Sequence, residues 1–266
     1  MKLILSIFPG IDLLGRGFEA EGYCVVRGPD LLWGCDIRTF HPPGSIFDGV
    51  IAGSPCQDFS TLTRTPTDYS DNMLAEFRRV VLEAFPEWFL LENVPTVPDI
   101  TVPGYHVQRF DLNARECGMR QSRLRHFQFG SKSGFVIIPK RQKPYGHAVP
   151  ICLASEGKKA NRRSWSDFCA AQGLPRSTTF PGLSIAARYA AVGNGVPIPM
   201  AQVIARSVLD AHILHTDVRL CACGCGRRLT GRQLSATPAC RKRLERRRKR
   251  DASISSTAGH VTPQET

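Results

Sequence analysis

Apolar residues recur in short blocks separated by polar, Gly- and Pro-rich stretches. Leu3–Phe8 is a mostly apolar run stopped by Pro9-Gly10, and Tyr23–Val26 is a second, ended by Gly28-Pro29-Asp30. Phe47–Ala52 and Trp88–Leu91 complete a set of strand-like segments, and Ser122–Gly130 alternates in the manner of another strand. Between them the period changes. Met73–Phe85 carries Leu74, Phe77, Val81, Leu82 and Phe85 close to helical spacing and is closed by Pro86, and Ile11–Glu19 has the composition of a helix start. Helical spacing returns at Ser166–Ala171 and Pro199–Leu214, after a stretch from Ser131 to Arg162 in which apolar residues become sparse. Strands alternating with helices predict an α/β domain with a mostly parallel sheet. In such sheets ligands bind beyond the carboxyl ends of the strands. Pro55-Cys56-Gln57 and Glu92-Asn93-Val94 each follow a predicted strand directly, so one cleft can hold both.

Composition narrows the class. At 266 residues with 42% hydrophobic positions, the chain has enough apolar surface for one sizeable core plus an appendage. Its apolar runs are all far shorter than the roughly 18 residues that span a bilayer. Met1–Phe8 is too short for a secretory segment, which predicts a cytoplasmic protein. The net charge of +12 is unevenly spread. Residues 219–266 hold twelve Lys and Arg against three Asp and Glu, or +9, which leaves 23 against 20, or +3, for residues 1–218. A basic tail favours a polyanion, nucleic acid first, because phosphate neutralisation releases condensed counterions; a solvated charge run is the plain alternative. Six of the ten cysteines are scattered through the first 170 residues, as expected of small buried apolar side chains, whereas Cys221, Cys223, Cys225 and Cys240 cluster in the tail.

Taken singly, the polar candidates admit two readings each. Phe8-Pro9-Gly10 followed twenty residues later by Asp30 suits a nucleoside-bearing cofactor or a plain tight turn. Cys56 after Pro55 is a nucleophile or a buried thiol. Glu92 is a general acid or a helix cap. Arg123 and Arg125 alternate as two anion-binding groups on one strand face or as surface residues.

The order of these pieces selects among the readings. Gly53-Ser54-Pro55-Cys56-Gln57, Glu92-Asn93-Val94, Gln121-Ser122-Arg123-Leu124-Arg125 and Gly193-Asn194-Gly195-Val196-Pro197 closely resemble, in sequence order, the signature motifs of the cytosine-5 DNA methyltransferases. Phe8-Pro9-Gly10 through Gly17-Phe18-Glu19 resembles that family's cofactor loop, Asp36-Ile37 its adenine-facing pair, and Arg162 with Gln172-Gly173-Leu174-Pro175 the segment supporting target recognition. The resemblance covers about residues 3–206. It implies a Rossmann-like fold dependent on S-adenosylmethionine, with Phe8, Gly10, Asp30, Asp36, Ile37, Pro55 and Asn194 toward the cofactor. It further implies that Cys56 adds to carbon 6 of a cytosine flipped out of double-stranded DNA. Glu92 then acts at ring nitrogen 3, and Arg123, with Arg125 beside it, holds the base's carbonyl oxygen. The loop Asp58–Ser70 is expected to close over the DNA as a lid.

The sequence departs from the family pattern in three places. Asp30 is the nearest acid for the cofactor ribose, the stretch from there to Asp36 is trimmed, and the recognition region is about thirty residues. The expected organisation is a catalytic and cofactor-binding core over 1–130, a short target-recognition region over 131–162 and a return to the core over 163–217. A basic Cys-rich module over 218–250 and a disordered tail over 251–266 follow. Cys221, Cys223, Cys225 and Cys240 resemble a zinc-ribbon ligand set, with Arg241–Arg250 as a basic helix for phosphate contact. A monomer is expected. Two rivals stand beside the DNA enzyme: an RNA or tRNA methyltransferase on the same fold and motifs, and a catalytically silent DNA-binding regulator. Intact Cys56, Glu92, Arg123 and Arg125 weigh against the second. Cofactor-free transfer of hydroxymethyl to cytosine is a remote variant.

Overall fold

The computed structural model describes residues 2–59, 65, 67–216, 237–243 and 245–246. Residues up to Ala211 form one compact unit, and those from His212 onward a second.

In the first unit, β1 (Lys2–Ile7), β2 (Tyr23–Arg27), β3 (Gly49–Gly53), β4 (Trp88–Asn93), β5 (His106–Asn113) and β6 (Leu124–Ser131) form one sheet in the order β2-β1-β3-β4-β6-β5. All neighbours from β2 to β4 are parallel, while β6 runs antiparallel to both β4 and β5. The chain leaves β1 toward one edge and returns through β3 on the other side, which creates a switch point at the carboxyl ends of β1 and β3.

The strands read as continuous apolar runs because both faces are covered. Successive side chains point to opposite faces. Ile4, Ile51 and Leu90 pack in one cluster with Leu14 and Phe18 of α1 (Leu13–Ala20) and with Met200 and Ile204 of α5 (Ile198–Thr216). Leu5, Val50 and Leu91 pack on the other face against Met73, Phe77 and Val81 of α2 (Tyr69–Ala84). A third cluster joins Ile11 and Leu13 to Phe168 and Cys169 of α3 (Trp165–Ala171) and to Tyr189 and Val192 of α4 (Ile185–Asn194).

α1 starts at Asp12, whose backbone sits at φ 57°, a left-handed conformation that Asp tolerates better than most residues. Its carboxylate accepts from Gly15 N at 3.0 Å and from Ser6 Oγ at 2.8 Å, fixing the turn between β1 and the helix. Two elements were not expected from the pattern. β5 is an edge strand, largely half-buried or exposed, so its apolar signal is diluted, and α4 is an Ala-rich helix capped by Ser184.

Among the described residues, no helix is long and apolar enough to cross a membrane. In the second unit, residues 238–243 are helical, Cys240 is buried, and Arg241, Lys242 and Arg243 are exposed. Thr237 Oγ1 accepts from Cys240 N at 3.2 Å, which caps this turn. Cys221, Cys223 and Cys225, the tail beyond residue 246 and residues 60–64 and 66 of the expected lid lie outside the described residues, and no cluster of metal-ligating side chains occurs among those described.

Candidate functional site

Three strand ends meet at the switch point. β1 runs into Phe8-Pro9-Gly10, β3 into Ser54-Pro55-Cys56, and β4 ends on Glu92-Asn93. Asn93 binds the second segment to the third: its Nδ2 donates to Ser54 Oγ at 2.9 Å and to Ser54 O at 3.2 Å. The turn that carries Cys56 is therefore held against the end of β4 by buried hydrogen bonds. A cavity of about 490 Å³ opens over these ends. Cys56, Pro55, Glu92 and Arg125 line it, as do Phe8, Gly10, Asp30 and Asn194. Asp36 and Ile37 line a smaller adjoining space of about 20 Å³, shared with Phe8 and Asp30.

Arg125 and Glu92 form the charged centre of the cavity, with Arg125 Nε 3.0 Å from Glu92 Oε1. Burial raises the pKa of Glu92, against the pull of Arg125 and then Arg123. Burial also raises the Cys56 thiol, with the nearby Glu92 charge adding to it and the two arginines opposing. Both shifts have one physical origin: a dry site penalises anions. The site thus shifts both Glu92 and Cys56 toward their neutral forms, against the pull of the two arginines. Gly53 leaves room for this carboxyl group, since a Cβ there would stand 3.3 Å from Glu92 Oε2.

Arg123 is placed differently from the expectation that it holds a base. It is 2% exposed and absent from the cavity lining. Its Nη1 donates to Cys152 O at 3.0 Å, and its Nη2 to the carbonyls of Gly193, Asn194 and Gly195 at 2.9–3.2 Å. The reason is strand geometry. Residues 123 and 125 share a face, but 123 precedes β6 and lies where the chain after α4 crosses, whereas 125 enters the strand opposite the end of β4. Gln121 and Gln172 extend the same buried polar hub. Gln121 Nε2 donates to Gln172 Oε1 at 2.8 Å, and Gln172 Nε2 donates to Val192 O at 2.7 Å.

The loops on the cofactor side are pinned by Asp30, whose Oδ2 accepts from Gly10 N at 2.7 Å and whose Oδ1 accepts from Leu32 N at 2.8 Å. Each oxygen keeps a further lone pair. Gly10 has φ +54°, and a Cβ on it would meet no atom within 4 Å, so its backbone faces open space in the cavity. Leu31 is 62% exposed at the same rim. A carboxylate, an open glycine turn and exposed apolar side chains are a donor set suited to an adenosine-bearing cofactor. Asp36 is engaged by Arg38, whose Nε lies 3.0 Å from both carboxylate oxygens.

The sequence pattern did not single out Tyr69, Ala187, Ala190 and Ala191, which also line the cavity. The last three fall with Asn194 at helical spacing, and that periodicity upstream of Asn194 was the available signal.

A mostly parallel sheet with its cavity at the switch point, lined by a cysteine, a buried acid and an arginine, is the place where α/β folds bind their ligands. The profile of C-5 cytosine-specific DNA methylases matches residues 35–168, just over half of the chain, and the protein belongs to that family. It is 29% identical over 168 residues to the type II methyltransferase M.DdeI of Desulfomicrobium norvegicum, covering 49% of this chain and 40% of that one. It is 30% identical over 168 residues to M.HgiDI of Herpetosiphon aurantiacus, covering 51% and 54%. The chain thus spans about half the length of these relatives. Solved structures of the same fold include the methyltransferase EhMeth of Entamoeba histolytica, with TM-score 0.58, 13% identity and 79% and 98% coverage. S. pombe Dnmt2 aligns with TM-score 0.55, 11% identity and 79% and 99% coverage.

Proposed function

We propose that the protein is a DNA cytosine-5 methyltransferase that attacks its base through Cys56 and takes the methyl group from S-adenosylmethionine. The observation that carries this reading is the convergence of Cys56, Glu92 and Arg125 on one cavity whose other end is lined by Gly10 and Asp30. The cofactor, when bound, supplies an electrophilic methyl group. Asp30 would hold its ribose hydroxyls, the Pro9-Gly10 turn its chain, and Asp36 and Ile37 the adenine.

The chain's own residues do the rest. Carbon 5 of cytosine is a poor nucleophile while the ring is aromatic. Cys56 gives up its thiol proton to solvent and adds to carbon 6 as the thiolate, and the displaced electron pair gives carbon 5 enamine character. Glu92, which burial keeps inclined to hold its proton, donates to ring nitrogen 3 as negative charge collects there. Arg125 offers its guanidinium to the base's carbonyl oxygen and opposes the rise in the Cys56 pKa, so the role anticipated for Arg123 falls to it. Once carbon 5 carries the methyl group, its proton passes to solvent, the electron pair restores the 5,6 double bond, and the Cys56 sulfur leaves as thiolate. Arg123 acts as a positioning residue, fixing the Gly193-Asn194-Gly195 turn beside the cavity.

Cys56→Ser is expected to lose nearly all methyl transfer while still binding duplex DNA. Wild type is expected to form a denaturant-resistant adduct with DNA that carries 5-fluorocytosine in its target. Methyl transfer surviving in Cys56→Ser overturns the assignment, and transfer to tRNA in place of DNA moves it to the RNA reading.

A further inference from the structure

α4 has two working faces. Ala187, Ala190, Ala191 and Asn194 face the catalytic cavity, while Ile185, Arg188 and Tyr189 face a second cavity of about 430 Å³ on the far side of the helix. That second cavity also takes in Arg162, Arg163, Ser164 and Trp165 at the entrance to α3, so three guanidinium groups line it and no carboxylate does. The three are not equivalent. Arg163 is neutralised by Glu156, its Nη2 lying 2.6 Å from Oε2, and is further tied to the carbonyls of Pro150 and Ile151. Among the described residues, Arg162 and Arg188 have no carboxylate within ion-pair distance. Each is steadied by a backbone carbonyl, Lys159 O at 3.1 Å for Arg162 and Leu183 O at 2.9 Å for Arg188.

We infer that this pocket is a second DNA contact: Arg162 and Arg188 take a backbone phosphodiester of the same duplex whose flipped cytosine occupies the catalytic cavity. The inference rests on the DNA reading above and adds a contact that the reading does not require. Two guanidinium forks without a carboxylate match the planar, multi-donor recognition of phosphate. Phosphate contacts fix register without reading sequence, which suits a chain whose recognition stretch is short. The spacing is also right. The two cavities are separated by one helix, about 10–12 Å thick with side chains. Backbone charges advance about 3.4 Å per nucleotide along the duplex axis and further along the winding strand, so the phosphate engaged lies within about three nucleotides of the flipped base. Free phosphate offers the same chemistry without the duplex, and the test separates the two sources.

The affinity of wild type for a duplex carrying the target cytosine is measured across a range of salt, beside Arg162→Gln/Arg188→Gln and the charge-keeping Arg162→Lys/Arg188→Lys. Each neutralised phosphate contributes about −0.9 to the slope of log affinity against log salt, so the Gln pair is expected to flatten it by roughly 1 unit. The Lys pair is expected to keep most of the slope, and cofactor affinity and melting temperature are expected to stay at wild-type values in both. One neutral methylphosphonate, walked along the backbone, should weaken wild type at one position within about three nucleotides of the target and leave the Gln pair unaffected there.

An unchanged slope in the Gln pair, while wild type still forms the 5-fluorocytosine adduct, overturns the phosphate contact alone. Inorganic phosphate binding without any methylphosphonate sensitivity overturns the DNA contact in favour of a free anion. Failure of wild type to bind duplex DNA overturns both readings. A slope difference without covalent trapping supports the pocket and removes the methylation reading.

Discussion

Glu92 sits at the end of β4 with its side chain 9% exposed and Arg125 beside it, and its chemistry follows from that setting. Burial favours its neutral form, so its pKa in the folded protein lies above the ordinary carboxylate value of 4.5. The sign for stability follows. The contribution of the protonated acid is full below the unfolded-state pKa and is lost as pH rises through the higher folded value. Glu92→Gln cannot ionise and is expected to remove that decline. Denaturant midpoints of wild type are expected to fall relative to the variant as pH rises through this window, with the two converging toward acid pH. Activity is expected to move the other way, since losing a positioned proton donor costs about 10²–10⁴-fold in rate. A parallel pH profile of the two proteins would show that Glu92 keeps its charge in the fold.

At the scale of elements, what places the site is the buried hub that ties the 151–153 and 193–195 segments to the start of β6. Arg123 donates to four carbonyls there, and Gln121 and Gln172 complete the connection between α3 and the end of α4. Arg123→Met leaves buried carbonyls without donors, each costing about 1–3 kcal/mol. Gly195 O keeps Gln172 as a donor, so three carbonyls lose theirs and stability is expected to fall by about 3 kcal/mol or more. Arg125→Met breaks no such network but leaves Glu92 without its ion-pair partner, and it is expected to cost less stability than Arg123→Met while losing most of its activity. Chemical denaturation and a methyl-transfer assay on both variants check the split. α4 itself is held close to the 154–158 turn. A Cβ at Gly157 would lie 2.8 Å from Tyr189 Cβ and 3.0 Å from the Ala186 backbone, so Gly157→Ala is expected to push this helix outward and lower the thermal midpoint.

For the whole molecule, the uneven charge makes a separate prediction. Residues 219–266 carry +9 of the total +12. If four to six of these cationic side chains meet phosphates, truncation after Asp217 is expected to flatten the salt slope of DNA binding by about 4–5 units. The methylated sequence is expected to stay the same, because phosphate contacts position without reading bases. Binding isotherms at several salt concentrations and bisulfite sequencing check the two halves. Full affinity in the truncated protein would make the tail a solvated appendage, and an altered target would make it a reader of bases.

The linear pattern by itself determined the α/β class, five of the six strands to within two residues, and the motif residues at their ends. Those features depend on local period and on turn chemistry: Leu3–Phe8 before Pro9-Gly10 is legible because an apolar run and its breaker are adjacent in the chain. β5 was not legible, since an edge strand that is half solvated has little apolar contrast, and α4 was hidden in an alanine-rich run next to a motif. The fates of Arg123 and Arg125 were decided only by tertiary structure. Two residues apart on one face, they look alike in the sequence. The chain 70–72 residues downstream crosses one of them with three carbonyls, and the end of β4 presents the other with a carboxylate. Which partner a charged side chain meets is a long-range fact, and it made one arginine a structural tie and left the other in the cavity.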